Sequence, residues 1–384
     1  MIKLLITGGK SSGKTVAACC AYRQLSKAKF EDNNMGDFGI IVREGVDVTE
    51  LTNMYNGMLD NKLPEGSIEN HIYDLILTRK MKNICNFLWL DYMGNMTTDF
   101  ESSDIPEDEL NVFDEFLNEA AILAFIIPGN VLDDFIHVID KDNGMQNIER
   151  AKLTNAIGEK IGQVITLVNR ANELNLKKYG KEDNRPIIFY VTKSDKVKCD
   201  DSKKMDYLYK LLDGYNLLIE ERKILGCHST IGKNLVLDEK TNEIIKGFDP
   251  VGFEIPVMLT VGYALSEEGR IWQQNEAGKI DVRISELNNI LFKQKSSEEK
   301  IKKNPLKRLA GILGRSKNLT EINYDIINTQ NNIKEAEKDK TNLLNSNSLC
   351  QNSNAILEYL QSKNYEILYV NEKGERCNLS EFFK

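Results

Sequence analysis

Three short stretches carry residue types whose spacing suits the chemistry of a nucleoside triphosphate. The first is Gly8-Gly9-Lys10-Ser11-Ser12-Gly13-Lys14-Thr15, which fits G-x-x-x-x-G-K-[ST]. Gly8 and Gly13 let the backbone curl so that successive N–H groups point at phosphate oxygens. Lys14 reaches the β- and γ-phosphates and Thr15 offers a hydroxyl to Mg²⁺. Val16 opens a helix whose positive N-terminal end adds to the anion site. The second stretch is Asp91-Tyr92-Met93-Gly94. A carboxylate at the end of a buried strand beside such a loop stands behind Mg²⁺, and the Gly94 amide can bond the γ-phosphate. The third is Thr192-Lys193-Ser194-Asp195, which fits [NT]-K-x-D. Its carboxylate accepts two hydrogens, from the ring N–H and exocyclic amine of guanine. The Lys193 stem lies along the base, and adenine offers no such donor pair.

Each stretch also has a plainer reading. Gly8–Thr15 alone is compatible with a Gly/Ser turn between strand and helix, D-x-x-G with chance, and Thr192–Asp195 with an exposed strand-end turn. Their flanks give them weight. The apolar run Ile2–Ile6 predicts a strand before the loop, and Val16 to Lys29 predicts a helix after it, with Ala17, Ala18, Ala21 and Leu25 on its packing face. Ile84–Leu90 predicts a strand ending at Asp91, and Pro186–Val191 one ending at Thr192. After the third stretch comes a strand over Lys223–Cys227 and a small-residue turn, where the Ser229 and Thr230 backbone is expected to bond the guanine O6.

The intervening elements follow from periodicity. Phe38–Val42, His71–Leu77 and Ala120–Pro128 predict strands. The stretch from Val46 to Asn70 looks irregular. In a nucleotide switch it would be the mobile loop, with Ser67 of Leu63-Pro64-Glu65-Gly66-Ser67 reaching Mg²⁺. The alternative there is a plain Pro/Gly turn. Apolar residues from Ala156 to Ala171 predict an amphipathic helix, with Leu174–Arg185 loop-like. Lys203–Glu220 predicts a helix, residues around Asp238–Asn242 a hairpin, and Ile255–Leu265 the last helix of the domain. Further helices are predicted around Val282–Leu291 and Ile322–Leu344, a linker over Asn345–Asn354, then a helix and a strand to Val370. The basic run Lys300–Arg315 reads as a solvated helix face rather than a membrane contact.

The whole-chain numbers exclude some classes. The chain has 384 residues and a net charge of −8, so bulk electrostatics do not favour nucleic acid or an anionic membrane. No apolar run approaches the ~18 residues of a membrane span, and the N-terminal run reads as a core strand, so no membrane insertion is expected. Seven cysteines without a C-x-x-C pair read as reduced thiols packed as small apolar residues, which fits a cytoplasmic protein. The three histidines do not form a ligand-like pair.

Taken in order, Gly8–Thr15, Asp91–Gly94 and Thr192–Asp195 resemble the P-loop GTPases of the translation-factor-related class. Leu63–Ser67 is similar to the Pro-x-x-Thr switch segment of bacterial double-GTPase-like domains. The Ser-x-x-Gly turn at 229–232, the hairpin and the Pro256 segment resemble their pattern too. Such domains occur in bacterial conflict (anti-phage) and signalling loci beside partner proteins, so the resemblance implies that setting. It covers roughly residues 1–268. It departs at Ser67, where Thr is usual, and at Asn95, where a Gln or acidic residue would orient the attacking water; slow unaided hydrolysis is implied. The roughly 90 residues between Gly94 and Pro186 imply an elaboration over 95–185.

The expectation is therefore an α/β, three-layer P-loop NTPase domain over 1–268, with a mainly parallel sheet. A helical extension over 269–384 ends in a small α/β piece. Function would be Mg²⁺-dependent hydrolysis of GTP to GDP as a switch, with Lys14 and Asn95 at the reacting end. A protein effector or activating partner is expected, nucleic acid is not, and a nucleotide-dependent dimer stays open. The alternatives are a scaffold that holds GTP without hydrolysing it, and a P-loop ATPase or kinase in which Thr192–Asp195 is accidental.

Overall fold

A computed structural model of the chain describes residues 1–9, 11–27, 38–43, 49–64, 70–80, 82–92, 105–140, 147–219, 221–232, 235–238, 243–304 and 319–383. The chain divides into one unit formed by Met1–Ala264 with Ser353–Lys384 and another formed by Leu265–Asn352.

The first unit is built on one eight-stranded mixed sheet. Its strands are β1 (Ile2–Thr7), β2 (Phe38–Val42), β3 (His71–Arg79), β4 (Lys82–Asp91), β5 (Leu123–Pro128), β6 (Ile187–Thr192), β7 (Ile224–His228) and, near the C-terminus, β10 (Leu368–Val370). The spatial order is β10-β7-β6-β5-β1-β4-β3-β2. The ladders β4–β1, β1–β5, β5–β6 and β6–β7 are parallel, whereas β2–β3, β3–β4 and β7–β10 are antiparallel. A separate two-stranded ribbon, β8 (Val236–Leu237) with β9 (Ile244–Lys246), occupies the expected hairpin; its turn, 239–242, lies outside the described residues.

Both faces of the central strands are apolar, because parallel strands are covered on both sides. Alternation decides which side chain goes where. Leu5, Leu123, Phe125, Ile127, Ile187, Phe189, Val191, Ile224, Leu368 and Val370 join one core cluster. The helices on that face are α3 (Glu107–Glu119), α4 (Gly129–Asp140), α5 (Asn147–Tyr179) and α6 (Asp201–Gly214). The alternate residues, among them Leu4, Ile6, Ala124, Ile126, Ile188 and Leu225, are buried outside that cluster. On this other side Tyr369 of β10 packs on Phe382 of α10 (Leu379–Phe382), which stacks on Tyr263. The expected α/β class with a mostly parallel sheet is present, in a form compatible with three layers.

Several expectations change. Thr49–Leu59, read as irregular, is a helix, α2. Leu51, Tyr55 and Met58 are its buried face at i, i+4, i+7, and Arg23 of α1 (Lys14–Lys27) lies over the Tyr55 ring. A mostly polar composition hid that stripe. Residues 174–179, read as loop, extend α5; Leu176 to Tyr179 face solvent there, so no apolar stripe marks the helix in the sequence. The helix predicted to end at Leu265 runs unbroken as α7 (Ile255–Lys303) and absorbs the separate helix predicted at 282–291.

The final residues also sit differently from the grouping of 269–384 as one extension. β10 joins the main sheet, so Ser353–Lys384 belongs with the first unit. The second unit pairs the later part of α7 with α8 (Leu319–Ser346) in antiparallel fashion. Asp281 faces Lys340, Gln294 faces Thr329, and Gly269 faces Asn347. Ile280, Ile284, Leu287 and Leu291 recur at four- and three-residue spacing, as do Ile322, Ile326, Thr329, Ile333 and Ala336, which makes this a heptad seam. The expected linker over 345–354 is mostly helix α9 (Ser348–Ser362). Its Asn/Ser composition reflects a cap: Asn347 Oδ1 accepts from the Leu349 amide at 2.9 Å. The stretch 305–318, which holds much of the basic run, lies outside the described residues.

Candidate functional site

The loop between β1 and α1 has the backbone its glycines predict. Gly13 has φ +96 and Ser11 φ +61, so two residues turn through left-handed space in three positions. Such a reversal is the backbone form in which successive amides can face an anion; two of the loop's amides are engaged internally, Ser12 N–H by the Gly9 carbonyl at 3.2 Å and Gly8 N–H by Tyr92 at 2.7 Å. The first turn of α1 holds no acidic residue, so the helix itself sets no negative charge against an anion there. The Ser12 hydroxyl is buried and has no hydrogen-bond partner among the described residues. A phosphate oxygen would satisfy it. Thr15, at the start of α1, is buried as well. Lys10 lies outside the described residues.

Lys14 folds back over its own loop. Its Nζ donates to the Gly8 carbonyl at 2.8 Å and to the Gly9 carbonyl at 3.2 Å. Burial pushes its pKa down to about 8, with the Asp91 carboxylate opposing. Asp91 is buried at the end of β4, one strand from β1, whose Leu5 registers with Leu90. The sheet therefore brings the carboxylate beside the loop, as the strand-end argument requires.

Thr192–Asp195 approaches from the other side. Thr192 Oγ1 donates to the Ser12 carbonyl at 2.6 Å, and Lys193 Nζ donates to the Ser11 carbonyl at 2.7 Å. Lys193 itself has φ 52, and its backbone passes against Gly129 at the start of α4. A Cβ on Gly129 would lie 2.1 Å from the Lys193 carbonyl oxygen, so only glycine fits there. Burial lowers the Lys193 pKa, and Asp195 raises it. Lys204 of α6 fixes the loop from behind, donating to the Ser194 carbonyl at 2.9 Å while pairing with Asp201 at 2.8 Å.

Asp195 has its carboxylate held by Thr230, whose hydroxyl donates to Oδ1 at 3.3 Å. A cavity of about 450 Å³ opens on Asp195 and Thr230, with His228, Val251, Lys204 and Tyr365 among its walls. That volume lies in the range of small-molecule sites. The Ser229 and Thr230 amides, expected to bond the guanine O6, are engaged within the protein. Ser229 N–H donates to the Val191 carbonyl at 2.8 Å, and Thr230 N–H to the Val251 carbonyl at 3.1 Å. The segment around Val251 forms an antiparallel bridge with Thr230 and takes that donor. The sequence analysis assigns no role to 247–254, so this contact is not foreseen there.

Ser67, Gly94 and Asn95 lie outside the described residues. The described candidates Gly8, Gly9, Ser11–Val16, Asp91 and Thr192–Asp195 converge on one end of the sheet. One residue was not singled out: Tyr92, whose hydroxyl accepts from the Gly8 amide at 2.7 Å. Its only sequence signal was an aromatic placed directly after Asp91. Among the described residues no group of three or more His, Cys, Asp or Glu is placed to hold a metal. The oxygen donors Thr15 and Asp91 suit Mg²⁺, which keeps several waters and takes few protein ligands. Among the described residues no helix is long and apolar enough to cross a membrane. No protein-family model, curated protein or solved structure matches the chain.

Proposed function

We propose that the chain binds a guanine nucleoside triphosphate with Mg²⁺ at the Gly8–Thr15 loop and hydrolyses it to GDP as a switch. The observation that carries this reading is the pair of hydrogen bonds from Thr192 and Lys193 to the Ser12 and Ser11 carbonyls. They join two motifs 180 residues apart into one site, with a triphosphate cradle at one end and a carboxylate suited to a base at the other. Lys14 and the loop amides would offset charge on the β/γ-phosphate oxygens. Thr15 would hold Mg²⁺ with Asp91 behind it, and the ion when bound would neutralise phosphate charge. Lys193 would lie along the base and Asp195 accept its two donors. A protein partner would supply what Asn95 lacks in orienting water, in a cytoplasmic signalling or defence setting.

Titration calorimetry of GTP and ATP tests the base assignment. Asp195→Asn should weaken GTP by about 100-fold, since the amide carries no charge, accepts only one of the two hydrogens and turns a donor toward the other, and leave ATP unchanged. Equal binding of both nucleotides, indifferent to the substitution, sinks the guanine reading. One observation favours a second reading. With the Ser229 and Thr230 amides engaged, base discrimination rests on Asp195 alone, which favours a site with a narrower margin of GTP over ATP. Single-turnover hydrolysis, alone and with candidate partners, separates a switch from a scaffold that only holds nucleotide.

A further inference from the structure

Tyr92 contacts both Gly8 and Lys14 of the Gly8–Thr15 loop. It is the first residue after β4 and follows the Asp91 carboxylate. Its side chain is fully buried. The hydroxyl makes a two-way contact with one residue, accepting from the Gly8 amide at 2.7 Å and donating to the Gly8 carbonyl at 3.1 Å. That same carbonyl accepts from Lys14 Nζ at 2.8 Å. The Lys14 ammonium also lies over the Tyr92 ring, 4.8 Å from its centroid. On its other side the ring meets Phe113 of α3 edge-on, 4.8 Å between centroids at 61°. A buried aromatic such as this would ordinarily be a core tyrosine with a satisfied hydroxyl. Here both partners of the hydroxyl and the cation on the ring face belong to the nucleotide loop.

We infer that Tyr92 is a positioning residue for Lys14. It fixes Gly8 through its hydroxyl and the ammonium through its ring, so that the lysine is held at the loop where the outermost phosphate would meet it. The inference rests on the proposed reading only in needing a nucleoside triphosphate at the loop. A diphosphate, which lacks the outermost group, makes less use of that lysine.

The full chain is purified, and binding of Mg-GTP, Mg-ATP and Mg-GDP is measured for wild type, Tyr92→Phe, Tyr92→Leu, Lys14→Met and Lys14→Met/Tyr92→Phe. Whichever triphosphate wild type prefers serves as the probe. Tyr92→Phe should weaken that triphosphate about tenfold while diphosphate affinity stays within about threefold, and Tyr92→Leu should weaken it further, with the phenyl ring of the Phe variant accounting for the difference. In the Lys14→Met background, Tyr92→Phe should add nothing. A purely structural tyrosine would weaken both nucleotides alike and act additively with Lys14→Met; that result overturns the inference. Preference for ATP with the cycle as expected overturns the guanine reading and supports Tyr92. Failure of wild type to bind either triphosphate overturns both.

Discussion

Replacing Thr192 by valine tests whether the two loops are held as one site. The side chain is nearly isosteric, so packing changes little, and Thr192 and Ser12 are each about 2% exposed. The change removes a 2.6 Å hydrogen bond and leaves the Ser12 carbonyl facing a methyl group. A buried acceptor stripped of its donor costs about 1–3 kcal/mol. In a domain of this size each kcal/mol moves the thermal midpoint by roughly 2 °C, so a fall of roughly 2–6 °C is expected. The loop then loses its fixed position beside Thr192, and affinity for triphosphate and diphosphate should fall together, because both use the same loop amides. Thr192→Ser keeps the hydroxyl and should recover most of both losses. Scanning calorimetry and nucleotide titration of the three proteins make the comparison. A valine variant as stable and as tightly binding as wild type, or a serine variant as damaged as valine, would show that this hydroxyl does not join the loops.

Gly129→Ala would place a Cβ 2.1 Å from the Lys193 carbonyl oxygen. The Lys193 loop must shift, at about 1–3 kcal/mol, and urea unfolding together with reduced nucleotide affinity should register it. Arg185 donates to the Leu117, Asn118 and Ala120 carbonyls at the end of α3 and pairs with Asp183, which is 2% exposed. Arg185→Ala strands that carboxylate and should cost about 3–5 kcal/mol in urea unfolding. The Glu119 carboxyl is held down from 4.5 to about 2 by hydrogen bonds from Lys178 and then Lys3, against burial. Its ionised form favours the folded state, so its contribution is complete above about pH 4.5 and disappears as pH falls through about 2. The side chain is 37% exposed, and screening leaves about 1 kcal/mol. Glu119→Gln should lower stability at pH 7 by that amount and flatten its fall over this range; a fall as steep as in wild type would remove Glu119 from the account.

The strands that place the chemistry were legible because each is a short apolar run ending at a motif. Ile2–Thr7, Lys82–Asp91 and Ile187–Thr192 appear close to where alternation and turn residues put them. Helices were less legible wherever one face is wet. The stripe of α2 is three residues among eleven, and the end of α5 is solvent-facing. Composition also misled at Asn345–Asn354, since the side chains that break helices in linkers cap them at their starts.

By itself the sequence determined which residues could serve a phosphate, a metal ion and a base, because those roles depend on functional groups and on local backbone freedom. Gly13 at φ +96 and the α1 N-terminus are such local facts. Tertiary structure alone decided which donors are already used. The Thr230 amide goes to Val251, 21 residues onward, and the Gly8 amide to Tyr92, 84 residues onward. Pairing of this kind depends on the packing of distant segments, and no spacing rule encodes it. The same holds for β10, which three residues place at the edge of the sheet. A strand's own pattern specifies a buried ladder partner, but only the folded chain supplies one.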